Sequence, residues 1–266
     1  MPARRQPGLR PADRPLPAHV ERTRVKLADG ARTTVYVARY DLATTAVKVV
    51  RLPQAEPLEA WCRSHGVREA MVGGFFIRPD GLPLGELRTR GLVRASAPFD
   101  APWGAIRACV HIQRGRLAIA RRADLPAAPR GDLLQAGPLL VRGGVPVIEP
   151  GEDPEGFSAG AGQFDSDITA GRYPRAALGI GHGRLLAVAC DGRADRDAGL
   201  TMRELAELLA ALGAEHALNL DGGGSTSLVC GGALRNVPRE EHGIELPGGR
   251  PVSTALTFTA NRSAIR

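Results

Sequence analysis

Short apolar and β-branched runs, each closed by glycine or proline, most limit what this chain can fold into. Residues 33–40 and 46–52 are rich in β-branched side chains with partial polar alternation, which is typical of strands. The 33 glycines and 21 prolines follow no period, so the sequence predicts many turns and excludes a helical bundle or a collagen helix. Further strands are predicted at 69–76, 84–89, 106–112, 116–121, 139–142, 175–180, 185–190, 217–220, 227–229 and 252–259.

Two helices are predicted between these strands. Residues 57–65 form a short helix that Gly66 closes in a left-handed cap. Thr201 and Glu204 form a capping box, and the apolar residues after it fall at helical spacing until Gly213. Many strands with two helices predict an α+β fold, in which a few helices pack on a large mixed, strongly twisted β-sheet.

The chain is predicted to hold one domain. Residues 1–22 contain many basic residues and prolines without an apolar run, so we expect a flexible basic N-terminal arm. The domain then covers 23–262. Residues 151–171 are rich in glycine and acidic residues without an apolar period, which predicts a long surface loop or a lid over a site.

Composition excludes several classes of protein. Apolar residues make up 43% of the chain and charged residues 24%, as in a globular protein rather than a disordered one. Aromatic residues reach only 4%, and neither a zinc finger nor a basic helix is present, so we expect no nucleic-acid partner. No run approaches 18 apolar residues and no signal peptide opens the chain, which predicts no membrane partner and a cytoplasmic location.

The net charge of +7 has two interpretations. The chain has 35 basic and 28 acidic residues, and all but two of the basic ones are arginine. One interpretation is a compositional bias toward arginine. The other is an anionic ligand, since a guanidinium can hold a phosphate with two parallel hydrogen bonds.

Four widely spaced cysteines, with no Cys-x-x-Cys pair, make a zinc site improbable. They are Cys62, Cys109, Cys190 and Cys230. We expect reduced thiols in the core, with a disulfide between two of them as the alternative.

The segment with most chemical information is 218–228, with the sequence LNLDGGGSTSL. An apolar strand ends in the carboxylate Asp221, and the turn Gly222, Gly223, Gly224 is followed by the hydroxyls of Ser225 and Thr226. Successive amides in such a turn can form an anion-binding nest, and glycine lets a backbone approach a ligand. A tight hairpin turn is the alternative. The Lys of a phosphate-binding P-loop and the Gly-x-Ser-x-Gly of a nucleophile elbow are both absent.

This segment resembles the signature of the phosphodiester glycosidase family. Other family motifs follow the same order along roughly residues 30–260. The segments of this chain that resemble them are VGGFF at 72–76, AGPLLV at 136–141, PRAALG at 174–179, DGR at 191–193, GLTMRELA at 199–206 and RPV at 250–252. The resemblance implies a hydrolase that cleaves the glycosidic bond between a sugar and a phosphodiester or sugar-nucleotide phosphate. Its partner would be a small sugar-phosphate substrate, and the oligomeric state is left open.

The resemblance also implies a division of roles among the motif residues. Arginines suit the substrate phosphate, which stays negative throughout, and Arg175, Arg193 and Arg250 lie in or beside motif strands. Asp221 and Asp191 follow strands and precede glycine, so they are the candidate base or nucleophile. We expect the hydroxyls and glycines of 222–226, with Gly73 and Gly74, to line the substrate site. The alternatives are surface arginines and aspartates that cap turns.

Two departures and one possible cofactor complete these expectations. Val72 stands where the family usually has Asn, and Thr254 stands where many relatives have Asn. No cofactor is predicted, and Asp191, Asp195 and Asp197 leave a divalent cation such as Ca²⁺ as the alternative. A non-catalytic sugar-phosphate binding module, or a phosphodiesterase that cuts the P–O bond, are the competing functions.

Overall fold

The computed structural model describes residues 19–149, 152–158 and 171–261. Its helices are α1 (Leu58–His65), α2 (Trp103–Ile106) and α3 (Met202–Ala211). Its strands are β1 (His19–Lys26), β2 (Arg32–Asp41), β3 (Thr45–Pro57), β4 (Ala70–Val72), β5 (Phe76–Ile77), β6 (Leu82–Pro83), β7 (Leu87–Thr89), β8 (Leu92–Val93), β9 (Ala108–Gln113), β10 (Arg116–Arg121), β11 (Asp132–Gln135), β12 (Leu139–Arg142), β13 (Val145–Pro146), β14 (Arg175–Gly181), β15 (Arg184–Cys190), β16 (His216–Asn219), β17 (Leu228–Cys230), β18 (Ala233–Leu234) and β19 (Pro251–Ala260).

The strands divide among three sheets and one small hairpin. The first sheet has the order β1-β2-β15-β14-β16-β12-β13, the second β18-β17-β4-β19-β3 and the third β10-β9-β11-β7-β8, while β5 pairs with β6. The α+β class is confirmed. Whereas one large mixed sheet was predicted, every ladder between described strands is antiparallel. Short turns favour this arrangement, because parallel neighbours need a long crossover.

Two apolar cores cover the two faces of the first sheet. Along β2, Tyr36 and Ala38 enter the core shared with the other two sheets, whereas Val35 and Val37 enter the core beneath α3. Since side chains of a strand alternate between faces, a strand buried on both faces is apolar almost throughout. This explains why alternation in 33–40 is only partial.

The helix boundaries follow their sequence signals. Thr201 accepts a hydrogen bond from the Glu204 amide and Glu204 bonds back to the Thr201 amide, which is the predicted capping box. Gly66 closes α1 with φ of +67°, in the left-handed region that glycine adopts without strain. No helix in the described ranges is both long and apolar enough to cross a membrane.

Two segments that were predicted to be flexible are partly ordered in the structure. β1 begins at His19 and pairs with β2, so residues 19–22 form part of a sheet rather than the expected arm. Within the predicted surface loop, Glu155 and Phe157 are fully buried because the loop packs into the core there. The rest of the arm (1–18), most of the loop (151 and 159–170) and the boundary at 262 lie outside the described residues.

All four cysteines are free, buried and on separate elements, namely α1, β9, β15 and β17. Burial raises the thiol pKa of Cys62, Cys190 and Cys230 to about 12 and raises that of Cys109 as well. A thiol reagent at pH 8 therefore meets neither exposed sulfur nor thiolate in the native chain.

We expect Ellman's reagent to detect no rapidly reacting thiol in the native chain. After denaturation without a reductant it should detect four thiols per chain. The comparison of the native and denatured titres isolates the effect of burial. A denatured titre of two would show that a disulfide has formed, with Cys190 and Cys230 as the first pair to examine.

Candidate active site

Three predicted site residues meet at one edge of the first sheet. β15 ends just before Asp191, β14 begins at Arg175, and β16 ends two residues before Asp221. β14 lies between the other two strands and runs antiparallel to both. The end of each neighbour therefore lies beside the start of β14, and the motifs that carry these residues come together.

Glycine permits the close approach of the three segments. A Cβ atom on Gly192 would lie 2.7 Å from the backbone nitrogen of Pro174, and one on Gly222 would lie 2.9 Å from the Pro174 oxygen. Real Cβ atoms are not found this close to backbone atoms. The glycines after Asp191 and Asp221 are thus required by backbone packing, whichever ligand the edge binds.

The second sheet meets this edge through Gly73 and Gly74. The Asp221 amide donates to the Gly73 oxygen at 3.1 Å, and the Gly73 amide donates to the Thr254 oxygen at 2.9 Å. The Thr254 hydroxyl accepts from the Gly74 amide at 3.0 Å, and a Cβ on Gly73 would lie 2.4 Å from that hydroxyl oxygen. The predicted Gly73–Gly74 turn therefore fixes the position of Asp221, with Thr254 as its anchor.

Asp221 as a residue is partly exposed, but the protein around its carboxyl group excludes water there. This desolvation raises the pKa of the carboxyl group to about 6. A hydrogen bond from the Ser225 hydroxyl and the charge of Arg250 act in the opposite direction. The Gly222 amide, which donates to Oδ1 at 2.9 Å, and the charge of Arg78 also lower it. The result is a carboxyl group that changes charge near neutral pH, which suits proton transfer.

The glycine turn does not present the predicted nest of free amides. The Gly222 amide donates to Asp221, and the Gly223 amide donates to the Pro174 oxygen at 2.9 Å. The amides of Ser225 and Thr226 donate to oxygens of the turn itself, each at 3.1 Å. Four of the five amides from 222 to 226 thus have acceptors within the chain, and two of these bonds belong to the 3-10 turn over Gly223–Ser225.

Hydroxyls of the same segment are better placed to accept or donate a new hydrogen bond. Thr226 Oγ1 and Ser227 Oγ are buried without a hydrogen-bond partner among the described residues. An unpaired buried hydroxyl is costly, so a bound water or ligand atom would satisfy it.

Arg193 and Arg250 lie on either side of Glu240. Arg250 donates to Glu240 through Nε at 2.7 Å and also through Nη2. Arg193 Nη1 lies 3.9 Å from Glu240 Oε2 and donates to the Arg239 oxygen at 3.2 Å. Arg250 Nη1 also reaches Ser225 Oγ at 3.5 Å. The carboxylate therefore holds two guanidinium groups beside the glycine turn.

Arg175 is placed differently from the other two arginines. It is buried, and it donates to the backbone oxygens of Leu200 and Gly171, both at 2.9 Å. Its guanidinium carbon lies 5.1 Å from the Tyr173 ring centroid, and that of Arg193 lies 5.3 Å from the same centroid. Tyr173 thus brings the two arginines close, but the contacts of Arg175 hold the backbone of the sheet edge.

Asp191 also faces inward. It is buried, which raises its pKa, and its Oδ1 accepts from the Val237 amide at 2.7 Å. Its Oδ2 accepts from the Tyr36 hydroxyl at 3.1 Å. Asp191 therefore anchors the segment that leads to Glu240, and its observed contacts position the site rather than reach a substrate.

The cation alternative has no geometric support in the described part of the chain. Asp197 Oδ1 accepts from the amide and the hydroxyl of Thr34, both at 2.7 Å, so this carboxylate is used to join two segments. Across 19–149, 152–158 and 171–261, no group of three or more His, Cys, Asp or Glu is placed to hold a metal ion.

Val72 lies in the core and not at the candidate active site. It is fully buried, belongs to the core shared by the sheets and pairs with Ala255. Valine at this position adds apolar packing, so its side chain offers the site neither a polar contact nor an obstruction.

Sequence reasoning missed two charged residues of this region. Glu240 bridges Arg193 and Arg250, and exposed Arg78 lies close enough to Asp221 to lower its pKa. Neither belongs to a motif of regular spacing. Only the approach of distant segments identifies them.

Comparisons with known proteins identify the family of this chain. The family model described as phosphodiester glycosidase matches residues 65–259. Mouse (Mus musculus) N-acetylglucosamine-1-phosphodiester alpha-N-acetylglucosaminidase is 31% identical over 180 residues, which are 66% of this chain and 34% of that protein. The chain thus spans about a third of the length of this curated relative.

Solved structures share the fold at low identity. The zebrafish N-acetylglucosamine-1-phosphodiester alpha-N-acetylglucosaminidase catalytic domain, auto-inhibited by its pro-peptide, has a TM-score of 0.69 at 20% identity and covers 92% of this chain and 84% of its own. A hypothetical protein from Synechocystis has a TM-score of 0.62 at 20% identity, over 91% and 62%. A candidate exported protein from Burkholderia pseudomallei has a TM-score of 0.62 at 18% identity, over 86% and 74%. The expected cytoplasmic location is not confirmed.

Proposed function

This chain belongs to the phosphodiester glycosidase family, and on that premise we propose that it hydrolyses the glycosidic bond between a sugar and a phosphodiester. The observation that carries the proposal is the Asp221 carboxyl group, with a pKa of about 6, beside the guanidinium groups at the glycine turn. The name of the mouse relative makes an α-linked N-acetylglucosamine phosphodiester the first substrate to try.

Arg193 and Arg250 would hold the phosphate. The phosphate keeps its negative charge throughout the reaction, and a guanidinium can contact two of its oxygens. Glu240 keeps both guanidinium groups in place before the substrate arrives, so it is a positioning residue. Arg78, exposed and near Asp221, offers a third cation at the same opening.

Asp221 would activate the water or attack the sugar carbon. In the first route, its carboxylate takes a proton from water as the water oxygen bonds to C1 of the sugar and the C1–O bond to phosphate breaks. In the second, the carboxylate oxygen bonds to C1 as the C1–O bond to phosphate breaks. Water then bonds to C1 as the bond between C1 and the carboxylate oxygen breaks, which releases the sugar and restores the carboxylate. Phosphate is a good leaving group, so little help from a general acid is needed. Water is the only co-reactant, and the proposal includes no cofactor.

Hydrolysis in ¹⁸O-labelled water tests which bond is cut. We expect the label in the C1 hydroxyl of the released sugar and none in the phosphate, measured by mass spectrometry on the N-acetylglucosamine phosphodiester. The Asp221→Asn variant is the blank for contaminating activity. Label in the phosphate would instead indicate a phosphodiesterase, and binding without any turnover across a panel of sugar phosphodiesters would indicate a binding module.

A further inference from the structure

A cleft of about 550 Å³ opens between β3 at the edge of the second sheet and the β7–β8 hairpin of the third. Four of its nine lining residues are basic, against 35 basic residues among the 266 of the chain. The basic lining residues are Lys48, Arg51, Arg90 and Arg94, and the one acidic lining residue is Asp132. This enrichment, three- to fourfold, sets the cleft apart from an arginine-rich surface in general.

The one acidic residue of the cleft is used to fix its wall. Asp132 Oδ1 accepts from the Arg90 amide at 2.5 Å, and Oδ2 accepts from the Val49 amide at 3.3 Å. These bonds tie the β7–β8 turn to β3. The four cations of the cleft therefore face one carboxylate, and both oxygens of that carboxylate already accept hydrogen bonds from backbone amides.

The turn carries an arginine at a position that disfavours it. Arg90 and Gly91 connect the paired residues Thr89 and Leu92, with φ of +54° and +74°. Such a two-residue turn favours Asn, Asp or Gly at its first position, and another side chain there is strained. The turn places Arg90 in the lining of the cleft.

The cations of this cleft have unused hydrogen-bond donors. Arg94 is held by Thr89, through Nε to Oγ1 at 2.5 Å and through Nη2 to the backbone oxygen at 3.4 Å. Arg94 Nη1 makes no hydrogen bond to the rest of the described chain. The side chains of Lys48, Arg51 and Arg90 make neither a hydrogen bond nor an ion pair with the described residues. Four like charges in one cleft repel each other, and an anion between them relieves that repulsion.

We propose that this cleft binds a chain of two or more phosphate groups, at a site separate from Asp221. A volume of about 550 Å³ is within the range of small-ligand sites. Three arginine forks and one lysine offer more donors than a single phosphate can accept, so a connected series of phosphates fits better. The chain would come from free oligophosphate or from a polymer joined by phosphodiesters.

The two lysines of the chain allow a site-resolved test. Lys48 lines the cleft and Lys26 is exposed on β1, so each reports on its own surroundings. The intact chain is acetylated with a limiting reagent at rising tripolyphosphate concentration, and labelling of each lysine is read by mass spectrometry. We expect labelling of Lys48 to fall at least about tenfold while that of Lys26 stays within about twofold.

Matched double variants assign the protection to the cleft. Arg51→Gln with Arg90→Gln should abolish the protection of Lys48. Arg116→Gln with Arg184→Gln, which removes two exposed arginines from other hairpins, should leave it intact. Equal protection of both lysines, or protection that survives in the cleft variant, would overturn the proposal.

A second probe separates the two sources of phosphate. A glycerol phosphate trimer carries one charge per phosphate, as a phosphodiester polymer does. Protection of Lys48 by this trimer at concentrations similar to tripolyphosphate supports a polymer, and protection by tripolyphosphate alone supports a free oligophosphate. If neither protects Lys48, the cleft is not an oligophosphate site. The assay needs no turnover, so its result is independent of the proposed hydrolysis.

Discussion

Asp221→Asn is expected to lower kcat at least about a hundredfold, the lower end for loss of general-base help. Asparagine keeps the size of the side chain and its hydrogen bond with the Gly222 amide, but it carries no charge and no basic oxygen. Substrate affinity should change little, because the phosphate is assigned to the arginines. The measurement is kcat and KM on the N-acetylglucosamine phosphodiester, with Asp124→Asn, an exposed aspartate elsewhere, as the matched control.

The pH profile separates a catalytic Asp221 from a structural one. A carboxyl group that acts as base or nucleophile must be ionised, so kcat/KM of the wild type should rise as pH passes about 6. The kcat/KM of the Asn variant should not rise in this pH range. Near wild-type turnover in the variant would leave Asp221 as a turn cap.

The effect of Asp221→Asn on the stability of the fold has a predicted direction. Because burial raises the Asp221 pKa from 3.8 to about 6, the folded chain binds this proton more tightly than the unfolded chain. The contribution of this carboxyl to stability is therefore full below pH 3.8 and is lost as pH rises to about 6. The Asn variant should be as stable as the wild type or more so at pH 7, by thermal unfolding. Unfolding at pH 7 would show that the carboxylate is structural, and Asp221 would then lose its catalytic assignment.

Arg193→Ala is expected to lower kcat/KM by about 10- to 1000-fold, since a charge-assisted contact to phosphate contributes about 1.5–3 kcal/mol or more. The guanidinium lies against the glycine turn, 3.2 Å from where a Cβ of Gly223 would be. Arg193 has a φ of +57°, and alanine meets the same backbone strain, so the comparison isolates the side chain. Steady-state kinetics on the same substrate measure the effect.

Two further variants separate phosphate binding from loop support. Arg196→Ala removes an exposed arginine three residues away and should leave kcat/KM unchanged. Arg193→Lys keeps the charge but loses the two-pronged contact, so its kcat/KM should lie between those of the wild type and the alanine variant. If Arg193→Ala lowers kcat/KM less than threefold and leaves inhibition by inorganic phosphate unchanged, Arg193 is not part of the phosphate site.

The sequence alone determined the features that depend on neighbouring residues. The capping box at Thr201 and the left-handed glycine cap at Gly66 depend on hydrogen bonds and steric limits within a few residues. The motifs, which follow the family's order along the chain, also identified the family. Glycines mark these motifs because they are required where two backbones approach each other, as at Gly192 and Gly222.

Only the tertiary structure decided which way the motif side chains face and what they meet. Arg175 and Arg193 both belong to motifs, yet one is held by backbone oxygens and the other lies beside Glu240. Asp191 and Asp221 both precede glycine, yet Asp191 faces the core while Asp221 is partly exposed. These differences depend on strand register and on how three sheets pack, which join residues far apart in the chain. A single sequence contains no local pattern for such contacts, and for that reason Glu240 and the basic cleft emerged only from the fold.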